Sequence, residues 1–295
     1  MDRERNDRKS VLMIFSAMLI WGTIGLFRRF IPLSSAFLAF SRGILGGIFL
    51  LIVMRIKHEK AAERLPLRTV VRLTLTGAAI GINWILLFEA YNYTTVAVAT
   101  LCYYMQPTIV ILLSPVIFRE KLTPKRALCA VFAIIGMLFV SGVIGGGAAQ
   151  ASNLKGIFLE LGAAVLYSIV VITNKSTAGI DAYRKTTIQL LSAGSVMIPY
   201  LLLTGGFGSL SFSAQTGILL LIVGIVHTGI AYVLYFRSMD GLKAQSIAIF
   251  SYIDPVAAML VSAVFLNEPL SIYHIIGAIL IIGSAVISEI QTETL

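Results

Sequence analysis

The stretch from Tyr103 to Thr123, which reads YYMQPTIVILLSPVIFREKLT, recurs later in the same chain. The second copy runs from Ser251 to Ser271 as SYIDPVAAMLVSAVFLNEPLS, 148 positions later and without a gap. The offset pairs Tyr104 with Tyr252, Pro107 with Pro255, and Glu120 with Glu268. A shared proline inside an apolar segment and a shared glutamate thirteen residues after it predict two copies of one structural unit.

The composition is that of an integral membrane protein. Hydrophobic residues make up 58% of the 295, charged residues only 13%, and the mean hydropathy is +0.91. A helix of about 17–25 apolar residues spans a bilayer. Because ten such stretches leave only short loops, they exclude a separate soluble catalytic domain and argue against an enzyme. The stretches are 11–30, 34–54, 73–90, 95–118, 124–144, 154–174, 186–204, 215–236, 244–266 and 272–289.

The net charge of +9 orients the chain rather than indicating a nucleic-acid partner. With the N-terminus inside, 19 of the 23 basic residues fall in inner segments, whereas the outer side holds Arg28, Arg29 and Lys155. Basic residues concentrate on the cytoplasmic side of membrane proteins. We therefore expect a multi-pass protein of the cytoplasmic (inner) membrane with both termini in the cytoplasm.

The fold expected is all-α, with ten transmembrane helices arranged as two five-helix repeats. Residues 11–144 form the first repeat, the glycine-rich segment 145–153 the linker, and residues 154–289 the second repeat. Because five is odd, the second repeat starts on the opposite side of the membrane, so the repeats have inverted topology. Pairs of small residues at 43 and 47 and at 77 and 81 predict close helix packing.

Several motifs together resemble a known family. They are Trp21–Gly22 of the first span, Arg42 within AFSRGILGG, and the two copies of the proline–glutamate motif. The chain resembles the EamA-type branch of the drug/metabolite transporter superfamily over about residues 11–289. The resemblance implies a central cavity and movement of small metabolites such as amino acids, sugars, nucleotide sugars or drugs. Similarity to aromatic amino acid exporters of this superfamily implies cavity positions for Asn83, Trp84 and Gln106.

Ionisable residues within membrane spans are costly and are therefore functional candidates. Asp254 directly precedes Pro255, and its repeat mate is Gln106. Asp254 can carry a proton or meet a substrate amine; the alternative is a buried pair with Arg42 that only fixes helix packing. For Arg42 and Glu160, which lie at similar depths, we expect a structural salt bridge, with a substrate carboxylate on Arg42 as the alternative.

Two further groups complete the candidates for proton coupling or gating, which are Asp254, Glu160, Glu89 and His227. Glu89 is either a gate or an interfacial acid that meets water, and His227 is more often a core histidine than a proton relay. The predicted substrate-binding residues are mostly aromatic, since tyrosine offers both apolar surface and a hydroxyl. They are Trp21, Arg42, Asn83, Trp84, Tyr103, Tyr104, Gln106, Tyr167, Tyr232, Tyr252 and Asp254. Structural roles are predicted for Pro107 and Pro255 inside their spans, and for Glu120 and Glu268 at helix ends, in turns and in contacts between loops.

These observations predict a secondary transporter of small polar metabolites, amino acids first, that works by alternating access. We expect export and proton coupling, no cofactor and no metal site, and a monomer or weak homodimer in the lipid bilayer. The alternative within transport is an exporter of cationic amphiphilic drugs or amines. An alternative of another class is a membrane receptor or assembly subunit that binds a ligand without moving it.

Overall fold

The structure is a computed structural model that describes residues 2–56, 65–90, 92–93, 102–140, 154–208, 212–267 and 271–289. All regular elements in these ranges are helical. We number them α1 (Asp2–Gly22), α2 (Ile24–Arg29), α3 (Ser35–Ile56), α4 (Leu67–Ala90), α5 (Met105–Phe118), α6 (Pro124–Val140), α7 (Leu154–Ser176), α8 (Ala182–Leu203), α9 (Ala214–Ser238), α10 (Ala244–Ser251), α11 (Ile253–Leu266) and α12 (Ile272–Glu289).

The predicted all-α membrane fold is confirmed. Within the described ranges, seven helical segments are long and apolar enough to cross a bilayer, and α5 and α12 are shorter apolar helices. Within its described residues, each of the ten predicted stretches corresponds to one helix or to two consecutive helices. The predicted linker at 145–153 and the second glutamate of the repeated motif, Glu268, lie outside the described residues.

The helices pack with the symmetry expected of two repeats. Helix α3 packs on its repeat mate α8, and α6 packs on its mate α12. The contact of α4 with α8 has its counterpart in α9 with α3, and that of α1 with α11 in α7 with α5. Because exchanging the two repeats turns each of these contacts into another of them, the halves are related by an approximate twofold axis, as in inverted-repeat transporters.

Glycine lets the central helices approach each other closely, as predicted. A Cβ atom built on Gly81 lies 2.6 Å from the carbonyl oxygen of Ala193, and one built on Gly77 collides with the carbonyl oxygen of Gln189. On α3, a Cβ built on Gly47 lies 2.6 Å from the Leu191 side chain. In lipid, helices associate through van der Waals packing rather than through the hydrophobic effect, and small residues allow the close approach that this packing needs. Helix α8 is therefore held tightly between α3 and α4.

Two of the predicted spans are interrupted within the described residues, which the hydropathy pattern does not predict. The first span breaks at Thr23, between α1 and α2, and the ninth breaks at Tyr252, between α10 and α11. At the position equivalent to Tyr252, Tyr104 is the N-cap of α5. Pro107 and Pro255 each occupy the third position of the helix that follows the break, where a proline costs no hydrogen bond. The repeated proline thus places a helix start at the same point of both repeats.

Candidate substrate cavity

One cavity of about 510 Å³ lies between the two repeats and is lined by side chains of both. Nine of the eleven predicted substrate-binding residues line it. They are Trp21, Arg42, Trp84, Tyr103, Tyr104, Gln106, Tyr167, Tyr232 and Asp254. The cavity extends to Arg28 and Ser35, which flank the connection between the first two spans. In the predicted orientation this connection is on the outer side of the membrane.

The acidic group of the cavity is Asp254, at the start of α11. Its Oδ2 accepts a hydrogen bond of 2.8 Å from the hydroxyl of Tyr104 on the opposite repeat. The repeat mate of that tyrosine, Tyr252, instead shares a hydrogen bond of 2.8 Å with Thr108, and the two rings stack with centroids 6.2 Å apart. Equivalent tyrosines therefore have different partners, and only Tyr104 contacts the cavity carboxylate.

The cationic group of the cavity is Arg42, on α3. Its Nε donates to Thr228 Oγ1 at 3.1 Å, and its Cζ lies 4.8 Å from the centroid of the Trp84 ring. The expected salt bridge with Glu160 is wrong: among the described residues, neither oxygen of the buried Glu160 carboxylate has a hydrogen-bond partner. Similar depth in the membrane did not bring the two side chains together, because Arg42 is drawn towards α9. The guanidinium is held by a hydroxyl and a ring, and it lines the cavity.

The middle of α9 is a π-helix from Val223 to Ile230, which the sequence pattern does not reveal. Trp21 Nε1 donates to the carbonyl oxygen of His227 at 2.8 Å, and the Thr228 hydroxyl donates to Val223 at 2.9 Å while accepting from Arg42. A π-helical turn shifts the backbone register and frequently occurs at functional sites. Here it turns His227 and Thr228 towards the first repeat and so fixes one indole and one guanidinium at the cavity.

Aromatic side chains form much of the wall of the cavity that also holds the two charged groups. The centroid of Trp21 lies 5.0 Å from Tyr232 and 5.0 Å from Tyr235, and Tyr103 lies 6.1 Å from Tyr167. Tyr235 lines the cavity but is absent from the sequence-based set. Its spacing of three residues from Tyr232 places both on one helix face and could have revealed it.

Five predicted site residues do not line this cavity. Asn83 is buried and donates to the Ala163 carbonyl at 2.6 Å, Tyr252 lies behind Tyr104, and Glu160 is buried on α7. Glu89 accepts hydrogen bonds of 3.2 Å from Tyr93 and Asn92 at the end of α4. His227 shares a 2.8 Å hydrogen bond with Thr23, although its Nδ1 has no hydrogen-bond partner among the described residues.

Polar contacts close the side of the molecule away from the cavity opening. The Glu120 carboxylate accepts from the backbone N–H groups of Ala244 at 3.0 Å and Gln245 at 3.4 Å, at the N-terminus of α10. The Lys175 ammonium donates to the carbonyl oxygens of Met239 and Leu242, after the end of α9. The four segments that meet here come from both repeats. These contacts must break if this side is to open.

The comparisons with known proteins agree with this architecture. The model of the EamA-like transporter family matches residues 8–142 and again residues 154–289. A Bacillus subtilis protein named as the uncharacterized transporter YxxF is 26% identical over 284 residues, covering 96% of this chain and 90% of that protein. Protein PecM of Dickeya dadantii is 26% identical over 282 residues, covering 93% of this chain and 90% of its own.

Two more distant proteins extend the comparison. Human solute carrier family 35 member G1 is 25% identical over 228 residues, which cover 74% of this chain and 62% of the human protein. A solved crystal structure superposes with a TM-score of 0.83 at 20% identity and covers 95% of this chain and 96% of that one, which shows that the fold is shared. With two matched repeats, apolar helical spans and a cavity between the halves, the chain belongs to the EamA-like transporter family.

Proposed function

We propose that this transporter carries small zwitterionic metabolites, amino acids first, through the cavity between its repeats. One observation supports this above all: a cation, Arg42, and an acid, Asp254, line the same cavity. Each is held by its own partner in the surrounding wall, Thr228 and Tyr104 respectively. A substrate with both a carboxylate and an ammonium group would neutralise both charges, and the aromatic wall would accept its apolar part.

Alternating access is the mechanism that we propose. The cavity extends to the connection between the first two spans, and the Glu120 and Lys175 contacts close the other side. We place the open side outside the cell and both termini in the cytoplasm, with the protein in the cytoplasmic membrane, on the strength of the basic-residue asymmetry. Export is the direction implied by the resemblance to metabolite exporters.

We propose that Asp254 also carries the coupling proton. It is the one member of the proton-site candidates Asp254, Glu89, Glu160 and His227 that lines the described cavity. A proton and a substrate ammonium would compete for this carboxylate, so that binding one releases the other. Asp254→Asn should abolish movement driven by a pH gradient, and it should leave substrate binding weaker and independent of pH. If gradient-driven flux is unchanged in Asp254→Asn, then Asp254 does not carry the coupling proton.

The second candidate function is export of cationic amphiphiles. Asp254 beside several tyrosine rings is an arrangement that attracts organic cations, through charge and through cation–π contacts. Arg42 separates the two candidates, since its guanidinium serves a carboxylate and repels a simple cation. A non-transporting receptor would bind the same ligands as either transporter but show no flux.

The experiment compares a labelled amino acid with its amide, which lacks the carboxylate, in proteoliposomes. A zwitterion carrier should take up the amide only slowly. In such a carrier, Arg42→Gln should lower amino acid uptake at least tenfold and leave the slow uptake of the amide unchanged. Arg29→Gln is the matched control, because Arg29 is exposed and does not line the cavity. If Arg42→Gln leaves amino acid uptake intact, or if the amide is the better substrate, the cationic-amphiphile function replaces the zwitterion proposal.

A further inference from the structure

A second set of polar side chains is buried in the half of the molecule opposite the cavity. Lys185 and Gln189, both on α8, are 0% exposed. Within the described part of the chain, the Lys185 ammonium and both polar atoms of the Gln189 amide have no hydrogen-bond partner. Burying polar groups without partners costs free energy. A lysine and an amide left unsatisfied together are better explained by a ligand that they meet in another state than by packing.

The inverted repeat relates Gln189 to the neighbourhood of the cationic group of the cavity, whereas Lys185 corresponds to Phe37. With the offset of 148 positions, Gln189 corresponds to Ser41, the neighbour of Arg42, and Gly194 corresponds to Gly46. In the structure α3 and α8 pack against each other as repeat mates. Ser41 and Arg42 are six and seven residues after the first residue of α3, and Gln189 is seven residues after the first residue of α8. The two positions therefore lie at equal depths from opposite sides of the membrane.

The surroundings of Lys185 resemble the charge arrangement of the cavity. The charges nearest to Lys185 are those of two acids, Asp240 and Asp181, and of a second ammonium, Lys175. Both acids line an open pocket of about 420 Å³ at the start of α8, together with Tyr183 and Arg237. A cation and an acid thus lie on this side as well, with the cation buried and the acids at the entrance. The pocket lies at the start of α8, and neither Lys185 nor Gln189 lines it in this closed state.

We propose that Lys185 and Gln189 form the inward-facing counterpart of the Arg42 site and bind the carboxylate of the substrate when the inner side opens. Lysine and the glutamine amide both donate hydrogen bonds to a carboxylate. In this closed state both donors are buried where α8 packs against its neighbours. The inference rests on the proposed function for the identity of the ligand, but the anion selectivity of the site can be tested without any transported substrate.

The test measures how fast two membrane-impermeant thiol reagents of opposite charge react with Gln189→Cys from the inner side. The anionic reagent is sulfonatoethyl methanethiosulfonate, and the cationic reagent is its trimethylammonium analogue. The background carries Cys102→Ala and Cys129→Ala, since these are the only two cysteines of the chain. We expect Lys185 to favour the anionic reagent, so that Lys185→Met lowers the ratio of the two rates at least fivefold. Lys185→Gln removes the charge but keeps a polar side chain. It should lower the ratio as Lys185→Met does, which would show that the change does not come from misfolding of the methionine variant.

Lys243→Met is the control variant, because Lys243 is an exposed inner lysine and should leave the ratio unchanged. Glu120→Gln, which loosens the closed side, should raise both rates without changing their ratio. The proposal is overturned if Lys185→Met leaves the ratio as it is. It is also overturned if the thiol introduced by Gln189→Cys fails to react from the inner side even in combination with Glu120→Gln. If the protein moves no amino acid but Lys185→Met still lowers the ratio of the two rates, the proposed function is contradicted and the anion-selective site at Lys185 remains supported.

Discussion

Replacing Glu120 by glutamine should open the side of the transporter away from the cavity opening, which is the inner side in the proposed orientation. In the structure the carboxylate accepts from two backbone N–H groups at the start of α10, at 3.0 Å and 3.4 Å. A carboxylate at a helix N-terminus is stabilised by these bonds and by the helix dipole. Glutamine keeps one acceptor oxygen but loses the charge. Because Glu120 is half-buried and therefore partly screened, we take the loss as about 1–2 kcal/mol in total.

This free energy belongs to the closed inner side alone if the contact breaks on opening. A loss of about 1–2 kcal/mol then raises the ratio of inner-open to inner-closed molecules by about 5- to 30-fold. The reporter is Ser246→Cys, since Ser246 is 1% exposed and lies on α10 beside the contact. Its reaction rate with an impermeant thiol reagent applied to inside-out vesicles should rise by the same factor in Glu120→Gln.

Two controls separate gate opening from general loss of structure. Glu89→Gln makes the same chemical change at an acid that contacts Tyr93 and Asn92 and not α10, so it should leave the Ser246→Cys rate unchanged. Met197→Cys, at a residue that is 0% exposed on α8, reports unfolding and should stay unreactive. A Ser246→Cys rate that does not change in Glu120→Gln, or that rises equally in Glu89→Gln, would refute the reasoning.

Three further predictions follow from the packing and the cavity. Tyr104→Phe removes a hydrogen bond to a carboxylate, worth about 1.5–3 kcal/mol, and should lower transport at least tenfold. Tyr252→Phe removes a hydrogen bond between neutral groups, worth about 1 kcal/mol, and should lower transport less than fivefold. Equal effects of the two variants in uptake assays would contradict the different partners of the two tyrosines. Gly77→Ala should destabilise the protein by about 1–3 kcal/mol in thermal unfolding, because the added carbon collides with the Gln189 carbonyl; Gly217→Ala, where the added carbon meets open space, is the control and should not. Arg42→Lys keeps the charge but loses the planar fork, and should raise the KM for an amino acid at least fivefold; an unchanged KM with lower thermal stability would make Arg42 structural.

The fold could be predicted largely from the sequence because its signals are long and repeated. Ten apolar stretches, the positions of the charges and a gapless repeat each carry information over many residues. Close helix packing at the glycine pair 77 and 81 could be predicted because helices in lipid approach each other most closely where side chains are small. The role expected for Glu120 at a helix end agrees with its contact to α10, although its partner helix lies more than a hundred residues away in sequence.

The site could be predicted only in part, because its geometry depends on where helices deviate from regularity. The break at Thr23 and the π-helix at Val223–Ile230 decide that Trp21 and Arg42 find their partners on α9. Neither irregularity has a local sequence signal as strong as a proline. The salt bridge expected between Arg42 and Glu160 was wrong for this reason, since depth alone does not give the rotation of a side chain about its helix.

Lys185 shows a different limit of sequence reasoning. Counted among the inner basic residues, it looks like one more charge that orients the chain in the membrane. In the structure its side chain is 0% exposed, whereas Lys243, another lysine predicted to be on the inner side, is exposed. Burial depends on how α8 packs between its neighbours, and a count of charges by segment does not contain that information.

The most direct measurement is uptake of a panel of labelled amino acids into proteoliposomes, with and without an imposed pH gradient. A zwitterion transporter coupled to protons should move at least one class of amino acid, faster with the gradient, and Asp254→Asn should lose the gradient effect. No flux of any amino acid through folded protein, while organic amines or sugars are moved or ligands bind without flux, would contradict the proposed function.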